Sequence, residues 1–580
     1  MANENHVLCA CMFRISILIG LLSVVVTIIY YTPIPDFESS KENCDRECHE
    51  LEWPLICRYK IVLETQGAQS NYQKCLHNQT NNDVYCGKTS NKIITANKQY
   101  PGPTIKVCQS DIIVIDIVNR IPGHSLSLHW RGQYQKETPV MDGAPMITQC
   151  SILPHTTFQY KFRATEAGTH WWQVLSGDEL TDKLFGGFVV KQSRRQDPHF
   201  NLYDHDEDTL LIENAAENGT YAMRVNGILL NTSMTVKTNS RYRFRAINFG
   251  GDLRCPLRIT VDQHYLTIIA MDGHGMEPKT VSDLEMKPDE TLDFVLTTRQ
   301  GKGDFDMVFE SVGRCVYLNL TYTMTINYNS SLNDIINDMK NPIRNMKAEL
   351  SNSQTTSLSA LPHELSAPYI EQTIYLGFST VKYHFGTMWS MPNFNNISMV
   401  LPSEPLLLNQ PEDIDVCETG LLPKRCRPEH RFCECTHIVE LPLGSATELV
   451  LFDAGTEDRT GEPHSFHLHG YSLHVVGEKQ KAYVRSVEQA RKLDKAGKLL
   501  IRTLDSSLLK NTFSVPPAGV TAVRFIADNP GFWLFRSEKT SVWSNGLSLI
   551  FKIIPSGSFP PVPEDFPRCG NFIGPDFFLA

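Results

Sequence analysis

The chain has 580 residues, with 54 Lys+Arg against 64 Asp+Glu and a formal net charge of −10. Hydrophobic residues make up 41%, charged residues 20% and aromatic residues 9%, which excludes a wholly disordered, collagen-like or polytopic membrane chain and leaves room for a large core. No block of Lys or Arg interrupts the acidic balance, so nothing in the composition suggests a nucleic-acid partner.

The first element in chain order is an uncharged run over 15–31, ISILIGLLSVVVTIIYY, preceded by Arg14 and followed by Pro33 and Pro35. A spanning helix needs about 20 apolar residues, with about 17 as the lower limit, whereas a signal sequence carries roughly 7 to 15. Length and the bulky Ile29, Tyr30 and Tyr31 predict a transmembrane signal anchor, with a cytosolic tail over 1–14 and a single-pass type II protein in the plasma membrane. The competing reading is a cleaved signal peptide and secretion. Cys9 and Cys11 precede the run and are palmitoylation candidates or idle thiols. The remaining fourteen of the sixteen cysteines follow it, an even number suited to disulfides in an oxidising compartment. Sequons at Asn78, Asn218, Asn231, Asn319, Asn329 and Asn396 mark a glycoprotein.

Beyond the run, Cys44, Cys48, Cys57, Cys75 and Cys86 make a cysteine-dense stretch, read as an extension over 32–90 that leads into the first domain. Short alternating or β-branched segments then recur between turns, among them CRYKIVLE, DIIVIDIVN, TTFQYKFRA, RYRFRAIN, ETLDFVLTT, ATELVLFDA and LSLIFKII. This spacing predicts an all-β chain of several sandwich or barrel domains with few helices. The Ser-, Asn- and Thr-rich stretch over 329–367 is read as a linker.

Four local patterns carry chemistry. They are His129-Trp130-Arg131-Gly132, Gly168-Thr169-His170-Trp171-Trp172-Gln173-Val174-Leu175, His464-Ser465-Phe466-His467-Leu468-His469, and Phe535-Arg536-Ser537-Glu538. Their order and spacing resemble the laccase-type multicopper oxidases, and within them the insect relatives that lack most copper ligands. That family carries HWHG, WxHxH, HxxHxH and HCHxxxH in this order. The resemblance implies three cupredoxin-like Greek-key domains, placed at 91–195, 196–328 and 368–580.

In that family a type 1 copper, held by two histidines and a cysteine thiolate, feeds electrons to a trinuclear cluster that reduces dioxygen. By resemblance His464 matches the first type 1 ligand, but Ser537 stands at the cysteine and Val542 at the second histidine, with Leu547 in the axial place. Both type 2 histidines, His129 and His467, are kept. Of the six type 3 positions, Arg131, Gln173, Leu175, Arg536 and Glu538 replace histidine and only His469 remains. Neither serine nor valine can supply a copper–thiolate bond. The expected function is therefore a non-catalytic pseudoenzyme that binds an extracellular protein or small ligand, with no cofactor. The alternatives are a copper-dependent laccase or ferroxidase acting on phenols or iron, or a residual metal carrier on His129, His467 and His469.

The resemblance further implies that Arg131, Arg536, Glu538 and Gln173 converge beside His469 as a guanidinium–carboxylate network between the first and third domains. Asp142 and Gly143 read as a turn, and His170 and His474 as core or surface residues. Trp130, Trp171, Trp172 and Trp533 read as core packing rather than a phenol pocket. Disulfides Cys108–Cys569 and Cys150–Cys255 are implied by related oxidases, whereas Cys417, Cys426, Cys433 and Cys435 are expected to pair locally. Cys433 and Cys435 with His437 offer only a poor metal reading.

Overall fold

The strand Thr157–Arg163 shows how this chain makes sheet: Phe158, Tyr160 and Phe162 alternate inward while Thr157, Gln159 and Lys161 face water. The computed structural model describes residues 12, 14–25, 27, 44–66, 76–77, 84–85, 93–178, 180–217, 220–251, 253–298, 303–329, 356–370, 372–385, 387–408, 416–417, 426, 433–455, 463–539 and 546–570.

The first domain is a sandwich of two four-stranded sheets. One runs Ile93–Ala96, Ile56–Gln66, Ile112–Asn119, Thr157–Arg163, and the other Ile105–Cys108, Phe185–Lys191, Gly168–Leu175, Ser127–Arg131. Eight residues of Ile56–Gln66 pair in parallel with Ile112–Asn119, so this strand lies within the first sheet and the domain begins upstream of the residue 91 expected from sequence. The second domain pairs a six-stranded and a five-stranded sheet, drawn from His205–Glu217 through Thr321–Asn329, around Phe244, Phe294 and Phe309. In the third, a continuous strand path that begins at Leu508–Lys510 and ends at Thr512–Val515 encloses a core of Leu449, Phe466, Trp533 and Phe551. The fold is nearly all-β and cupredoxin-like. A helix over Val487–Lys495, capped by Ser486 through its bond from Gln489 N, stands outside that core.

Two expectations change. Residues 1–44 form a unit of their own, in which 14–25 are helical. Among the described residues no helix is long and apolar enough to cross a membrane, which overturns the single-pass anchor over 15–31. The disulfides also differ: Cys108 pairs with Cys48, Cys150 with Cys569, and Cys255 with Cys315. The implied Cys108–Cys569 and Cys150–Cys255 bridges are corrected because Cys48 takes Cys108, leaving Cys569 to Cys150. Cys417–Cys435 and Cys426–Cys433 are local, so the thiols near His437 are committed to sulfur. Most of the expected linker, 330–355, lies outside the described residues, as do Asn78, Asn218 and the Asn329 side chain. Asn231, Asn319 and Asn396 are exposed.

Candidate metal centre and its ion-pair network

Ser127–Arg131 is buried along its whole length at the end of its sheet, facing the third domain. Strand alternation sends Leu128 and Trp130 to one face and His129 and Arg131 to the other. Trp130 packs on Tyr160 and Phe162, so the opposite face presents an imidazole and a guanidinium. Across the ladder His129 opposes Gln173 and Arg131 opposes Trp171, whose ring lies 4.6 Å from the guanidinium carbon.

In the third domain, Phe466 and Leu468 of His464–Leu468 enter the core and leave His467 on the reverse face, directly opposite Arg536 of Gly531–Ser537. His469 and Glu538 follow the ends of these two strands. Two domains thereby set one buried cluster of three imidazoles, two guanidiniums and a carboxylate.

The imidazoles are ordered by their outer nitrogens. His129 Nδ1 donates to the Asp142 carbonyl at 2.9 Å, His467 Nδ1 to the Asn511 carbonyl at 2.7 Å, and His469 Nδ1 to Asp142 Oδ2 at 2.8 Å. A carbonyl oxygen only accepts, so His129 and His467 each carry a proton on Nδ1, and all three rings turn Nε2 inward. The Nε2 atoms of His129 and His467 stand 3.1 Å apart, and His469 Nε2 is buried without a hydrogen-bond partner. One ligand atom from each of the three lies within 4.8 Å of the others. Burial, with Arg131 nearby, holds the His467 imidazole well below its usual range, and burial pushes His469 down to about 3, so both are neutral near pH 7.

Asp142 reaches these rings because Gly143 takes φ +85°, where a Cβ would sit 1.7 Å from the Leu128 carbonyl. Burial opposes ionisation of Asp142, but His469 and His129 hold its carboxyl below the usual range. The second domain supports the far side, where Asp272 Oδ2 accepts from Asn511 N at 3.1 Å and Thr512 N at 3.2 Å.

Beside the imidazoles, Arg131 Nη1 meets Glu538 Oε2 at 2.9 Å, Arg131 Nη2 donates to Thr512 Oγ1 at 2.8 Å, and Arg536 Nη2 lies 3.5 Å from the same Glu538 oxygen. Arg254 of the second domain donates to the Glu538 carbonyl at 3.0 Å and pairs with Asp289. Arg131 and Glu538 are 1% and 2% exposed. Burial works against the charge on Glu538, and Arg131, Arg536 and Arg254 hold its carboxyl below the ordinary value.

Three multicopper oxidase models match residues 78–195, 193–331 and 405–557. The chain belongs to the multicopper oxidase family. Laccase-7 of Oryza sativa subsp. japonica is 26% identical over 535 residues, spanning 83% of this chain and 92% of that protein. An L-ascorbate oxidase of Brassica rapa subsp. pekinensis is 26% identical over 521 residues, spanning 79% and 88%. Among solved structures, Fet3p, a multicopper oxidase that functions in iron import, superposes with a TM-score of 0.65 at 20% identity, covering 88% of this chain and 93% of that one. The laccase from Botrytis aclada gives 0.60 at 20% identity over 86% and 88%.

Of the family positions, His129, His467, His469, Arg131, Arg536 and Glu538 come together here. Gln173 and Leu175 lie on the adjoining strand, opposite His129 and Ser127. His464 and Ser537 border a cavity between the second and third domains, and Leu547 is 1% exposed in the core. Val542 lies outside the described residues. His170 is buried with Nε2 on the Glu166 carbonyl at 3.0 Å, and His474 is buried with Nδ1 3.3 Å from Ser507 Oγ. Sequence reasoning missed Asp142, which it read as a turn, and also Thr512, Arg254, Asp289 and Asp272. The one available signal was Asp142 sitting thirteen residues after His129.

Proposed function

We propose that this multicopper oxidase family member does not run the oxidase reaction and serves as a binding protein for a protein or small-ligand partner. The observation that carries the reading is the buried Arg131–Glu538 pair with Arg536 alongside it, at positions where the family resemblance calls for type 3 imidazoles. A guanidinium has no lone pair to offer, and its permanent charge repels a cation. Ser537 would offer a hard hydroxyl in place of a thiolate. Without that cysteine the type 1 position also lacks a covalent route to the neighbouring strand residues.

A second reading is favoured by the three converging Nε2 atoms: His129, His467 and His469 fit one imidazole-preferring cation such as zinc or copper. Each outer nitrogen is held by an oxygen, as in ordinary imidazole metal sites. Copper bound there would supply one-electron chemistry at a single centre. The donors do not fit the four-copper set of the family.

Metal analysis, visible absorption and oxygen uptake with a diphenol or ferrous iron test both readings on the purified chain. At most one ion per chain, no intense thiolate–copper band and no oxygen uptake are expected. Several coppers per chain with oxygen-dependent turnover would overturn the non-oxidase reading and restore a laccase or ferroxidase. Failure to hold even one zinc or copper ion would remove the second.

A further inference from the structure

The cavity that borders His464 and Ser537 has a volume of about 80 Å³ and opens between the second and third domains. That is room for several waters, and so for a small anion. Three cations line it, Arg254, Lys287 and Lys539, and no carboxylate does. Lys287 and Lys539 are exposed, and the carboxylate that feels the Lys287 charge, Glu290, is already paired with Lys510. Arg254 is pinned in place by Asp289 and by the Glu538 carbonyl, so its guanidinium is preset. On the wall, Ser465 and Ser514 are directly paired across antiparallel strands and therefore project on one face. They are 7% and 8% exposed, and neither hydroxyl makes a hydrogen bond among the described residues. Two hydroxyls with no bond of their own on a buried wall, beside a preset guanidinium and two exposed ammoniums, are the complement of an acceptor-only, negatively charged group.

We propose that this cleft binds a tetrahedral oxyanion, a phosphate or sulfate carried either as the free ion or as an ester on an organic body. Leu253 and Pro288 supply apolar wall beside the cations, where the body of an ester would rest. Oxyanion recognition gives a ligand class to the binding role proposed above and rests on it. It requires no bound metal.

Calorimetric titration of the purified full chain with inorganic phosphate, inorganic sulfate and phenyl phosphate is the test. Saturable binding is expected for at least one of them, weakening as sodium chloride rises. Lys287→Ala with Lys539→Ala should lower the affinity at least tenfold, and Ser465→Ala with Ser514→Ala several-fold, whereas Lys552→Ala should leave it unchanged. Tighter binding of phenyl phosphate than of either free ion identifies an ester as the source. Equal affinities identify the free ion. Absence of saturable binding by all three probes, or binding indifferent to the lysine pair, overturns the proposal. Oxygen uptake measured on the same preparation distinguishes failure of the non-oxidase reading from failure of this one.

Discussion

Replacing Glu538 by Gln keeps its shape and removes its charge, leaving Arg131 and Arg536 facing each other's positive charge in a dry interior. At 2.9 Å and an effective dielectric of about 20, the Arg131–Glu538 attraction is about 6 kcal/mol before desolvation is counted. Desolvating both ions offsets most of that, so the intact pair contributes little net stability. Removing one partner is different, because the other remains buried and uncompensated, at a cost of about 3–5 kcal/mol. For a cooperative unit of 150–250 residues each kcal/mol moves the melting temperature by roughly 2–4 °C. Glu538→Gln should therefore lower the transition that opens the first and third domains by about 6–20 °C in scanning calorimetry. Arg131→Met combined with Glu538→Leu should recover the part of the loss that comes from Arg131, since an apolar pair needs no counter-charge, while Arg536 still lacks the Glu538 carboxylate. A shift under about 2 °C for the single variant, with no coupling in the double-mutant cycle, would refute the network's structural role.

Lys510 joins the third domain to Glu290, with Asp272 at 3.9 Å; Lys510→Met should destabilise by about 3 kcal/mol, read as the urea midpoint of domain separation. Burial pushes the Asp182 carboxyl up from 3.8 to about 7, against its bonds from Ser176. The folded state then holds a proton that the unfolded chain releases, so this group's stabilisation is complete below about pH 4 and lost as pH rises to about 7. Asp182→Asn should flatten the stability profile across that window and raise stability above it by up to roughly 4 kcal/mol; an unchanged profile in urea titrations would reject the assignment. Asp142→Asn should weaken zinc binding by the three imidazoles about 10- to 100-fold, measured by chelator competition.

The sheets were legible because their signal is local. Phe158, Tyr160 and Phe162 alternate whatever their partners, and the strand over 157–163 follows. The meeting of Arg131, Arg536 and Glu538 was legible only through the family's motif spacing, since these residues lie up to 407 positions apart. Asp142 was not legible, because its role depends on a glycine turn folding back on Leu128, and an Asp-Gly pair reads as an ordinary turn. Cysteine pairing failed for a related reason: which partner Cys108 finds depends on where the segment around Cys48 packs. The apolar run over 15–31 misled because an uncharged run near the lower length limit for a span does not by composition alone establish a membrane-crossing helix.

The bridge from Cys150 to Cys569 closes across a sequence separation of 419 residues. A protease that nicks the backbone anywhere between these two cysteines would release no large fragment while the bridge stands. Such a molecule would migrate at nearly full mass on a non-reducing gel and split into pieces only after thiol treatment, so apparent integrity without reductant says little about whether the chain is whole.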